Sequence, residues 1–162
     1  MIRHFTATGF IVWKGKVLLH WHRKNRQWLP MGGHVEPNED PVECSLREAE
    51  EEAGFPVELF GNQPPFTFGR PRQLPSPVTI LLEQVSDGDV RHEHIDLIYF
   101  CRPKSEPPTS FADPTMRWLD ADQLTANRPL APDEHTVPAG IPEDVRVLAL
   151  EALRRSISAD GN

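Results

Sequence analysis

Between Gly33 and Phe55 the chain reads GHVEPNEDPVECSLREAEEEAGF, and this stretch constrains the fold more than any other. On a helix turning about 100° per residue, Glu48, Glu51 and Glu52 share one stripe, with Arg47 beside Glu51 at i,i+4. Val42, Leu46, Ala49 and Ala53 form the opposite stripe, so one side can dock on a core while the acidic side stays in a cleft. Like charges at helical spacing repel, and three glutamates on one turn make sense when a doubly positive ion sits between them. Oxygen donors select hard cations, Mg²⁺ first. The helix limits are also written in the residues. Asp40 as N-cap, Pro41 at the first helical position and Glu43 three residues after the cap predict the start. Gly54, free to adopt a left-handed conformation, predicts the end.

Taken alone, SLREAEEEAGF would read as a solvated helix face. The upstream Gly32-Gly33, Glu39 and the spacing reverse that reading. Gly33, Glu39, Arg47, Glu48, Glu51, Glu52 and Gly54 resemble the signature box of the Nudix hydrolases at every position. Seven fixed residues at set spacing arise by chance with a probability on the order of 10⁻⁸ per window, so coincidence is not a competitor. Two departures, Ala49 in a slot that usually holds a larger aliphatic residue and Met31 where relatives often carry proline, bear on packing and not on ligands.

The resemblance implies an α/β protein, a Nudix-type α/β/α sandwich with a mixed central sheet. It implies hydrolysis of a diphosphate linkage in a nucleoside diphosphate derivative: a nucleoside triphosphate, a dinucleoside polyphosphate or a nucleotide sugar such as ADP-ribose. It also implies Mg²⁺, with Mn²⁺ as the alternative, bound by Glu48, Glu51, Glu52 and the carbonyl of Gly32. Arg47 is expected to orient the glutamates through a charge-assisted bidentate hydrogen bond that lysine cannot reproduce. Glu39 is expected to brace the loop or to hold metal through water. Glu52 is the first candidate for general base, with the distant acids Glu93, Glu106, Asp113 and Glu134 as alternatives. A second reading is a non-catalytic nucleotide-sensing Nudix domain, although no helix-turn-helix or other output module accompanies it. Isomerisation of an isoprenoid diphosphate would require a catalytic cysteine, and neither Cys44 nor Cys101 has a suitable context.

The 162 residues, 38% hydrophobic and 25% charged, suffice for one full core and are too few for two ordinary domains. A single domain over residues 1–162 is expected. The net charge of −7 argues against a general grip on nucleic acid. Against that background His20, His22, Arg23, Lys24 and Arg26 form a basic island. Arg23, Lys24 and Arg26 are candidates for steering substrate phosphates, the other reading being a solvated hairpin tip. The two cysteines lack metal or redox spacing and read as reduced core residues of a cytoplasmic protein. Neither a secretory signal nor a membrane span is expected from the N-terminal stretch.

Apolar alternation predicts strands at 5–13 and 16–22, joined at Lys14-Gly15, and further extended segments at 28–31, 34–36, 57–60, 78–85, 95–102 and 117–119. A last helix over 143–156 carries Val145, Leu148, Ala149, Ala152 and Leu153 on its apolar face, acids at its start and Arg154-Arg155 at its end. The connections 61–77, 103–114 and 127–142 are long and proline-stiffened, and loops of this kind over a cleft decide substrate choice. In His92-Glu93-His94-Ile95-Asp96, a strand would place His94 and Asp96 on one face with His92 at its mouth, a spacing that can bind a transition metal. Without a complementary set of Cys or His in the sequence, the expectation is a polar stretch lining the cleft. Trp21, Trp28, Phe66, Phe68 and Trp118 are candidates for stacking a nucleobase, against core packing as the commoner fate.

Overall fold

A computed structural model describes residues 2–61, 63–64, 66–87 and 90–159. Strands β1 (Ile2–Trp13) and β2 (Lys16–His22) are joined by Lys14 and Gly15 at φ 46° and 75°, a two-residue turn matched to the right-handed twist of its strands. There follow β3 (Gln27–Leu29), β4 (Met31–His34), α1 (Pro41–Ala53), β5 (Val57–Leu59), β6 (Thr79–Asp87), β7 (Val90–Pro103), β8 (Met116–Asp120), α2 (Ala121–Ala126) and α3 (Glu143–Ala159).

The strands form one mixed sheet. β1 and β7 run parallel from Ile2↔His92 to Ile11↔Cys101, while the other pairs are antiparallel. One edge of β1 is shared, its Thr6–Gly9 stretch pairing with β4 and Ile11–Trp13 with β2. Side chains alternate across the sheet. Ala7 and Ile11 of β1 pack toward α1, with its Cys44, Ala49 and Ala53. Phe10 and Val12 pack toward α3, with its Val145, Ala149, Ala152 and Leu153, and toward Leu124 of α2. Helices thus cover both faces of a mixed sheet, the sandwich expected from the sequence. Among the described residues no helix is long and apolar enough to cross a membrane.

Details of several elements differ from the periodicity reading, for physical reasons. The segment expected at 28–31 is broken at Pro30, which has no N–H to donate. β3 therefore pairs with β2, and β4 with β1. The segment expected at 34–36 keeps only His34 in a strand, since the chain turns at Asn38 (φ 71°) and Glu39 N–H bonds back to the Glu36 carbonyl. β7 begins at Val90 instead of residue 95, because β6 pairs with it along Asp87↔Val90 to Thr79↔Ile98. α3 runs past its arginines, and Arg154 and Arg155 grip Glu151 at 2.7 Å instead of capping the helix end. The short α2 has no counterpart in the periodicity, although Asp120 and Gln123 form a capping box that the sequence displays.

Candidate active site

The N-terminus of α1 is built as its residues dictate. Asp40 accepts from the N–H groups of Val42 and Glu43, and Glu43 returns its carboxylate to the Asp40 N–H. Gly54, at φ 80°, donates its N–H to the Glu50 carbonyl and closes the other end. These caps set the phase of the helix against β4.

In β4 successive residues face opposite sides of the sheet. Gly33 faces α1: a Cβ there would lie 2.2 Å from Glu48 Oε1, so the glutamate carboxylate fills the space a side chain would need. The Gly32 N–H donates to Glu52 Oε2 at 3.2 Å. A Cβ on Gly32, on the other face, would meet Thr8 Oγ1 at 2.5 Å. Both glycines are therefore required by close approach.

Arg47 ties the acids together. Its Nε and Nη2 donate to the two oxygens of Glu39 at 2.7 and 3.0 Å, and its Nη1 donates to Glu48 at 2.7 Å and to Glu51 at 3.4 Å. Glu39 in turn accepts the Glu36 N–H at 3.0 Å, which pins the loop before the helix. The guanidinium holds the Glu39 carboxyl below its ordinary range. Glu52 goes the other way. Burial, and then the charges of Glu48 and Glu51, push its pKa up to about 7 despite the Gly32 N–H. His20 Nδ1 lies 3.9 Å from Glu52 Oε1, but burial and His22 lower the His20 pKa to about 4, so a neutral imidazole faces the carboxyl and no ion pair forms at neutral pH.

Glu48 and Glu52 approach β4 at Gly33 and Gly32, and with Glu51 and the Gly32 carbonyl they offer only oxygen donors, the chemistry that suits Mg²⁺ or Mn²⁺. Among the described residues no three His, Cys, Asp or Glu donors are already close enough to hold an ion. Glu48 leans on Arg47 and the Glu51 side chain is 62% exposed, so gathering the donors requires Glu51 to swing inward.

The remaining candidates disperse. Arg23, Lys24 and Arg26 occupy the exposed turn between β2 and β3, with Arg26 at φ 54°. His20 leaves the basic island to face Glu52. Glu106 binds Lys14 at 3.0 Å, six residues along β1 from the Thr8 that pairs with Gly32, which is about 20 Å of strand. Glu93 is buried and paired with Arg3 at 2.7 Å. Glu134 is exposed beside His135. Asp113 accepts from the Thr115 N–H and hydroxyl, and the Thr115 carbonyl accepts the N–H of Trp21, next to His20. Asp113 is thus tethered beside His20 through Thr115 and Trp21, while Glu93 lies within β7. Trp21 and Trp28 lie in the core, whereas Phe66 and Phe68 are exposed and Trp118 packs against Phe55 and Phe111. Arg72 pairs with Asp40 and so ties the 61–77 connection to the start of α1.

A family model for the NUDIX domain matches residues 3–141. The chain belongs to the Nudix family. Its fold is shared with a NUDIX-family hydrolase from Clostridium perfringens at 32% identity, covering 96% of this chain and 99% of that one, with a TM-score of 0.71. The MutT protein from Methanosarcina mazei Go1 shares the fold at 14% identity, 99% and 97% coverage and a TM-score of 0.59. A MutT NUDIX hydrolase from Burkholderia pseudomallei does so at 17% identity, 95% and 98% coverage and a TM-score of 0.56. This Nudix chain is a hydrolase of the pyrophosphohydrolase type.

Proposed function

We propose that this Nudix protein, as a single catalytic domain, carries out Mg²⁺-dependent hydrolysis of a diphosphate linkage in a nucleoside diphosphate derivative such as a nucleoside triphosphate or an ADP-ribose-like nucleotide. The observation that carries the reading is the seating of the Glu48 carboxylate in the space left by Gly33, while the neighbouring Gly32 N–H holds Glu52. Glu48, Glu51, Glu52 and the Gly32 carbonyl are the residues to hold the ion. A divalent cation there polarises phosphoryl oxygens and lowers the pKa of a bound water.

The chain's own groups do the rest. Arg47 fixes Glu48 and, through Glu39, the loop that presents the glycines. Glu52 has one oxygen held by Gly32 and the other turned toward His20, which leaves it placed to accept a proton from water. Asp113 is the second choice for that role. Arg23, Lys24 and Arg26 attract the substrate's phosphates from the β2–β3 turn. The two free, buried cysteines suit a cytoplasmic setting.

The test is phosphate release from a panel of nucleoside triphosphates, dinucleoside polyphosphates and ADP-ribose, with Mg²⁺ and with chelator. Turnover of at least one compound with Mg²⁺ and none with chelator is expected. Nucleotide binding without turnover of any compound would sink the proposal in favour of a sensing domain.

A further inference from the structure

Four of the seven histidines of this chain meet on the face of the sheet opposite α1. His4 of β1 pairs with His94 of β7, His92 lies two residues before it, and His34 closes β4 beside Thr6. The His34–His94 and His92–His94 ring centroids are 4.9 and 5.0 Å apart, His4–His34 and His4–His92 are 5.3 and 5.5 Å apart, and His4–His94 are 6.3 Å apart. Imidazoles sharing one tetrahedral ion, with metal–nitrogen bonds of about 2.0 Å, keep their ring centres about 5 Å apart. Four of these five ring separations match that spacing, although the rings stand mostly edge to face and their nitrogens do not converge in this arrangement.

Two further observations point to a cation. His94 Nε2 is buried and has no hydrogen-bond partner, an arrangement that a native interior seldom leaves unexplained. Behind the rings stand two acids: Glu83, opposite His94 in the β6–β7 pairing, and the buried Asp96. Acids in this position attract a cation and oppose an anion.

We propose that His4, His34, His92 and His94 form a second metal site, distinct from the box glutamates, that takes a late first-row transition ion of the Zn²⁺ class. Imidazole selects such ions, as carboxylate selects Mg²⁺. His4 and His34 are exposed, so the ion enters from solvent, and turning the rings about their Cβ–Cγ bonds brings the nitrogens onto it. The strand-borne pair His92 and His94 thereby gains the complementary ligands that its own segment lacks.

The test is titration of the full chain with Co²⁺ as the Zn²⁺ surrogate, in excess Mg²⁺ to occupy the glutamates, followed by its visible absorption and by displacement with Zn²⁺. The expected result is a visible band at one equivalent, with affinity weakened by about tenfold or more in His4→Gln and in His94→Gln, and retained in Glu52→Gln. His4 is exposed, so its variant reports even where His94→Gln folds poorly. Absence of a band in the wild type, or a band unchanged in both histidine variants, would overturn the site.

Discussion

The two sides of β4 carry polar clusters of opposite construction. On the α1 side, behind Gly33, carboxylates surround Arg47, a cation that the chain itself supplies. On the other side, around His34, acids stand beside a group of imidazoles, and Asp96 is satisfied by the hydroxyls of Thr6 and Thr8 at 2.9 and 2.8 Å. The same functional group responds differently: Glu39, forked by the guanidinium, is held below its ordinary pKa, whereas Asp96, partnered by hydroxyls, is raised by burial. A carboxylate near a sheet of this kind stays charged when a fixed cation accompanies it and resists charging when only dipoles do. Glu52, beyond the reach of Arg47's hydrogen bonds, behaves like the second cluster although it sits in the first.

The sharpest way to separate the clusters is Glu52→Gln. Loss of about 10³-fold or more in kcat is expected with an unchanged circular dichroism spectrum and Tm. A matching fall in Tm would mean that the acidic stripe is structural and would erase the distinction. Next comes Gly33→Ala. The added methyl claims the position of the Glu48 carboxylate, and the displaced ligand should cost about 10²-fold in kcat, with weaker Mg²⁺ binding by calorimetry. Arg47→Lys keeps the charge but loses the fork to Glu39 and should cost about tenfold. Full activity in that variant would contradict the bracing role.

The smallest effect belongs to the other face. Glu83 has its folded pKa raised from 4.5 to about 7, mainly by burial. The folded state therefore holds this proton more tightly than the unfolded chain. Its contribution is fully present below 4.5 and is lost as pH rises toward about 7. With its partial exposure allowed for, Glu83→Gln should abolish about 1 kcal/mol of that decline, measured as urea unfolding across this pH window. A decline unchanged in the variant would assign the effect elsewhere.

Much of the catalytic side was legible in the residues because its parts are close in the chain. Asp40, Glu43 and Gly54 mark α1 by local hydrogen bonds, and helical phase alone puts Glu48, Glu51 and Glu52 together. Pro30, which divides β3 from β4, was visible as a residue but not as a break, since its consequence depends on which strand each half pairs with. Glu106 looked as eligible as Asp113 until Lys14 drew it toward the far end of β1. The pairing of His92 and His94 with His4 and His34 was the least legible, because parallel strands join residues some 90 positions apart without a local signal.

The sequence by itself determined the limits of α1, its acidic and apolar stripes and the identity of the box, because capping and helical period act over a few residues. Only the tertiary structure decided that Glu48 fills the space of Gly33, that His20 meets Glu52 as a neutral ring, and that four histidines share a face. Those contacts are set by the pairing of distant strands and by what burial does to charge, and neither is written in any single segment.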